Sequence, residues 1–153
     1  MVQQFEGLND HETELMLKAP ILVCILIAGA DGTIDRKEID EAIAIARKQT
    51  RSKSLLTTYF EDLYQDFEDK LKVLIQSYPH VAAQRASRIE QELSELNTLW
   101  LKLDHRFAKE FYDALKKIAG KIASSSGGLL GMNSIGSEEA KYVQLSMIND
   151  PGN

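Results

Sequence analysis

Three residue types are scarce in this chain, and each scarcity narrows what it can be. There is one cysteine in 153 residues, Cys24, so no intrachain disulfide can form. It sits among Val23, Ile25 and Leu26. A thiol in such a setting is expected to be buried and unreactive, in a reducing compartment. There are only three prolines, Pro20, Pro79 and Pro151, so long stretches are free to be helical. There are three histidines, His11, His80 and His105, and none lies four residues from another or from Cys24. That spacing argues against a zinc site and points to exposed or capping histidines.

Long apolar runs are lacking too. Residues 20–30 make about half of the ~20 needed to cross a bilayer, so they read as a core helix. Residues 1–6 show no basic segment ahead of an apolar one, and no secretory signal is expected. The default expectation is a cytoplasmic protein. The net charge of −5 disfavours nucleic acid as a partner. The Ser/Gly stretch 124–131 lacks the Lys-Ser/Thr ending of a phosphate loop, and no strand precedes it. No nucleophile elbow occurs, and no enzyme is expected.

What the chain does have is helical periodicity. No segment alternates with period two, so no sheet is expected. A first helix should open at Asn9 or Asp10 and be interrupted or kinked at Pro20. Its continuation, 21–28, is apolar nearly all round, as at the centre of a bundle. A second helix is expected over 35–49, with Ile39, Ala42, Ile43 and Ala46 inward. A third is expected over 54–77, with Leu56, Tyr59, Phe60, Leu63, Phe67, Leu71 and Leu74 inward. Tyr78-Pro79 should turn the chain.

The fourth helix spans 81–101 by the same reading, with Ile89, Leu93, Leu96 and Trp100 inward. Asp104 should cap the fifth, striped by Phe107, Phe111, Leu115, Ile118 and Ile122. A last helix carries Ala140, Val143 and Met147. The fold class is all-α: a compact bundle of about six to seven helices, with a weak internal duplication of helix pairs. The whole chain, 1–153, reads as one domain, with ends of about eight and five residues that fray.

The segment 31–38, Asp-Gly-Thr-Ile-Asp-Arg-Lys-Glu, is the densest in chemistry. Asp35 as N-cap and Glu38 three residues on make a capping box, and Ile34 with Ile39 a hydrophobic staple. The same spacing matches the second half of a calcium-binding EF-hand loop. The leading ligand positions then fall on Ile27 and Gly29, which offer no side-chain oxygen.

A fainter version recurs at 134–139. Laying Ala28 on Ala123 and Glu38 on Glu139 leaves 128–133 as an insertion. Asp31 then meets Ser126, and Asp35 meets Gly136. Asp31, Asp35, Glu38 and Glu139 are the candidate ligands for a weak site. An all-carboxylate set would suit a hard divalent cation such as calcium, magnesium or manganese. No cofactor is required for folding at this size.

The block 25–38, ILIAGADGTIDRKE, resembles the signature of the tellurite-resistance TerB-like family, in which a hydrophobic helix leads to A-D-G-x-I-x-x-x-E. The recurrence runs through 118–123 and then 135–139. The resemblance covers about residues 14–50 and 107–148. It implies an all-α fold with pseudo-two-fold helix pairs. It also implies a cytoplasmic, non-enzymatic role in stress-response assemblies, metal-linked and near the inner membrane. The family's acidic positions carry over to Asp31, Asp35, Glu38 and Glu139.

The expected partner is therefore another protein, with peripheral contact to inner-membrane assemblies. The alternatives are a calcium- or magnesium-responsive sensor and, less favoured, a metal-dependent hydrolase using the same carboxylates. Charge is also segregated along the chain. Glu61, Asp62, Asp66, Glu68 and Asp69 make the third helix acidic, while Arg106, Lys109, Lys116, Lys117 and Lys121 make the fifth basic. The basic helix could serve an acidic partner or an anionic membrane.

Overall fold

The computed structural model describes residues 5–30, 40, 43, 44, 48, 57–126 and 142–152. These residues build an all-α bundle with no strand among them. The helices are α1 (Asp10–Ala28), α2 (Thr57–Gln65), α3 (Phe67–Ser77), α4 (Ala82–Ser94), the single turn α5 (Leu96–Leu99) and α6 (His105–Ser126). A 3-10 turn, Trp100–Lys102, joins the last two. Asp40, Ile43, Ala44 and Lys48 are helical within the expected second helix, and Ile43 packs on the core. The rest of that helix lies outside the described residues.

Helix α1 is the centre, as its all-round apolarity predicts. Every residue from Ala19 to Ala28 is buried, and the helix packs on α6, α4, α3 and α5. Full burial of each large aliphatic side chain contributes roughly 1.5–3 kcal/mol, so this run supplies a large share of the driving force. Its start is a full capping box. Asn9 Oδ1 accepts from the Glu12 amide at 2.8 Å, and Glu12 Oε1 accepts from the Asn9 amide at 2.9 Å.

Pro20 does not interrupt α1, the first of the two outcomes expected there. A proline has no N–H for the carbonyl four residues back. That carbonyl belongs to Met16, and it accepts the buried Tyr59 hydroxyl of α2 at 2.5 Å instead. The helix continues because a side chain from another element supplies the missing donor.

Two expected long helices are segmented. The third breaks at Asp66. Its buried residues Tyr59, Leu63, Phe67 and Leu71 recur every four positions, and each such step drifts by about 40° on a regular helix. A break midway resets the phase, so all four reach the core. The fourth breaks at Glu95, whose N–H bonds the Glu92 carbonyl at 3.1 Å. There the buried residues step by three, Leu93, Leu96 and Leu99, which matches a local tightening toward 3-10 winding.

Asp104 caps α6 as expected, accepting from the Phe107 amide at 3.0 Å. Rings from four segments meet beneath it. Tyr59 lies edge-on to Phe111 at 5.3 Å and to Phe5 at 5.9 Å. Phe5 is only 2% exposed although it falls in the end expected to fray.

The C-terminal segment also departs from expectation. Residues 142–148 form turns in place of a helix, and Leu145 takes a positive φ of 50°. Leu145 and Ile148 are the buried residues, and Val143 and Met147 only partly so. The chain beyond does not hang free. Asn97 brackets it, donating to the Met147 carbonyl at 3.1 Å and accepting from the Asn149 amide at 2.7 Å. Trp100 Nε1 donates to the Asn149 carbonyl at 2.9 Å, and Lys109 pairs with Asp150 at 3.0 Å.

These straps titrate in acid. A bond from the Gly152 amide, then the Lys109 ammonium, holds the Asp150 carboxyl below its ordinary value of 3.8. Lys102, then the Asn9 amide, holds Glu12 below 4.5. A carboxyl depressed in the folded state stabilises fully above its unfolded value, and that stability is lost as pH falls through the folded one. Acidification from neutrality to below these values should therefore loosen the tail and change the emission of Trp100, the single tryptophan. Asp150→Asn should remove the part of that fluorescence step due to Asp150. An unchanged step in the variant would show that the Lys109 pairing does not hold the tail.

Candidate functional site

The four carboxylates singled out by the sequence, Asp31, Asp35, Glu38 and Glu139, lie outside the described residues. What is described is the frame they attach to. Helix α1 ends at Ala28, and the Gly29 amide bonds the Ile25 carbonyl at 2.9 Å. The Gly29 carbonyl accepts Arg85 Nη2 at 2.7 Å. The other guanidinium nitrogen, Nη1, reaches the His80 carbonyl at 3.2 Å and the Pro79 carbonyl at 3.5 Å. Arg85 is 6% exposed. It joins the end of the central helix to the α3–α4 turn, and its charge sits at the negative end of the α1 dipole.

Gly29 is glycine for a steric reason. A Cβ there would lie 2.5 Å from Arg85 Nη2 and 2.9 Å from the Ile25 carbonyl. The Ala-Gly-Ala of the signature is thus shaped by an arginine 56 residues away. Sequence reading missed Arg85. The signal was present: Arg85 precedes Ile89 and Leu93 by four and eight residues, on the inward stripe of α4, where a cation needs partners.

Beside it, the Tyr78 hydroxyl donates to Glu92, and the Arg88 guanidinium lies 4.6 Å from the Tyr78 ring centre. Burial, then the Glu92 carboxylate, raises the Tyr78 hydroxyl far above its usual range. Cys24 is 3% exposed, and burial pushes its thiol up to about 12, so it stays protonated. It has the character of a core residue, as expected.

The second half of the proposed duplication is partly visible. Ile118, Ala119, Ile122 and Ala123 are buried on α6, the helix against which α1 packs most extensively among the described residues. The two helices that lead into the paired turns therefore meet. They do not end alike: α1 stops at Ala28, whereas α6 passes Ala123 and runs to Ser126. Residues 127–139 lie outside the described residues.

The three histidines are exposed, and among the described residues no three His, Cys, Asp or Glu side chains come together as a metal-binding group. No helix of the described residues is long and apolar enough to cross a membrane.

The described surface carries an open groove of ligand size. A cavity of about 410 Å³ lies between α1 and α3, and its lining includes Ile21, Val73 and Leu74. A second, of about 210 Å³, continues it toward α2 over Leu17, Leu63 and Phe5. Both are bordered by Asp66 and Lys70.

Fold and surface together define the class: an all-α bundle built round one buried helix, with an open groove along that helix. Uncharacterized protein ORF11' of Methanothermobacter thermautotrophicus is 30% identical over 128 residues, which cover 79% of this chain and 78% of that protein. The chain belongs to the family of this archaeal protein. No family model matches the chain, and no solved structure does.

Proposed function

We propose that the chain is a non-enzymatic helical module of TerB-like type that works by protein–protein interaction. The observation that carries this reading is the groove beside α1. Its floor is apolar, and Val73 at its lip is 60% exposed. An apolar surface left open on a helix pair is a common seat for a partner helix. The TerB-like character rests on the signature 25–38, with its cytoplasmic, stress-response setting. Peripheral contact with inner-membrane assemblies belongs to the same proposal.

The competing reading is a calcium- or magnesium-responsive sensor built on Asp31, Asp35, Glu38 and Glu139.

A melting experiment separates the two, because a ligand that binds only the folded state raises the midpoint. The interaction module predicts the same midpoint in EDTA and in millimolar calcium, magnesium or manganese. A rise that disappears in Asp31→Asn/Glu38→Gln would replace the module by the sensor.

A further inference from the structure

The geometry points to a specific occupant for the groove: a partner helix with one apolar ridge flanked by lysine or arginine. This rests on the interaction reading above and names the partner's chemistry. Thr13, Leu17 and Ile21 recur every four residues on one side of α1 and line the two cavities. They extend over about 12 Å of helix axis, a little more than two turns. That length suits a docked helix with anchors spaced three and four residues apart.

Charge selects the sign. Among the described residues the groove is bordered by the carboxylates of Glu14, Asp66 and Asp69 and by the ammonium groups of Lys18 and Lys70. Both lysines are engaged, Lys18 with Glu92 at 3.5 Å and Lys70 with Asp66 at 3.7 Å. Glu14 on α1 and Asp69 on α3 stand on opposite walls and are both exposed. Neither makes an ion pair among the described residues. An apolar ridge between them would bring cations on its two flanks toward these acids.

A second copy of the chain fits less well. Its basic face, on α6, presents Arg106 and Lys117 but no large exposed apolar side chain; among the described residues those are Val73, Val81 and Leu101. Such a face supplies the charge without the ridge.

The probe is a 14-residue amphipathic Leu–Lys peptide, with the Leu–Glu peptide of the same pattern as control. Affinity is read by fluorescence anisotropy at low salt, and the site by amide chemical shifts of the full chain. The Leu–Lys peptide should shift amides of Glu14 to Ala19, of Ile21 and of Asp66 to Leu74. Glu14→Lys/Asp69→Lys should weaken it by about tenfold or more, as should raising salt. Arg106→Glu/Lys117→Glu should leave it within about twofold, because those charges lie on α6, away from the groove lining. Melting curves of both variants establish that they are folded.

No binding, equal binding of the Leu–Glu peptide, shifts confined to another face, or indifference to the Glu14/Asp69 reversal would each overturn the assignment. Any of these would leave the interaction reading intact, because the ion titration tests that separately.

Discussion

Arg85→Met should destabilise the protein by about 1–3 kcal/mol, the penalty for buried acceptors left without their donor. The guanidinium serves the Gly29, His80 and Pro79 carbonyls at once. Methionine fills much of its volume but offers no donor, so the orphaned carbonyls carry the cost. In a domain of this size each kcal/mol lowers the melting midpoint by roughly 2–4 °C. Gly29→Ala should cost about 1–3 kcal/mol through overpacking, since its Cβ would meet Arg85 Nη2 at 2.5 Å.

The two effects should not add. Removing the arginine side chain with Arg85→Ala also removes the atom that Gly29→Ala strikes. The double variant should therefore be more stable than the sum of the singles by at least about 0.5 kcal/mol, as for residues in contact. Chemical denaturation of the four proteins measures this. Strict additivity would mean that the Ile25 carbonyl, at 2.9 Å, dominates the clash.

Tyr59→Phe should cost about 1–3 kcal/mol, the penalty for a buried acceptor left without its donor. The size depends on Pro20. In the natural sequence the Met16 carbonyl has no amide from residue 20 and takes the Tyr59 hydroxyl. In a Pro20→Ala background the residue-20 amide can supply that bond, and the Tyr59→Phe penalty should fall to a few tenths of a kcal/mol, as for a carbonyl already satisfied. An equal penalty in both backgrounds would show that the hydroxyl's value lies elsewhere. The phenyl ring keeps the edge-on packing against Phe5, Phe107 and Phe111 in either case.

These two residue pairs also show what was legible in the sequence. The central helix could be read directly, because an all-round apolar run has no other place in a bundle. Its cap was readable to one of two residues, Asn9 or Asp10, and the Tyr78-Pro79 turn was readable outright. The continuity of α1 through Pro20 was not. It depends on Tyr59, a residue 43 positions away, finding one carbonyl. Arg85 shows its inward register four and eight residues before Ile89 and Leu93, but its partners were not legible, since the carbonyls of Gly29, Pro79 and His80 come together only in the fold.

The breaks at Asp66 and Glu95 come from a phase requirement that appears only when the core is assembled. Residues 142–148 were misread as helix because Val143 and Met147 keep helical spacing, while the chain uses Leu145 and Ile148 as its anchors; Ala140 lies outside the described residues. The groove could not be read at all. Its acids looked like a solvated helix face, and its floor belongs to helices far apart in the chain.

The central claim is that the open side of α1 is the working surface. Intermolecular NOEs between the leucine methyls of the bound Leu–Lys peptide and this chain test it most directly. The account predicts contacts to the Ile21, Val73 and Leu74 side chains. Contacts to Val81 or Leu101 with none to those three would contradict it.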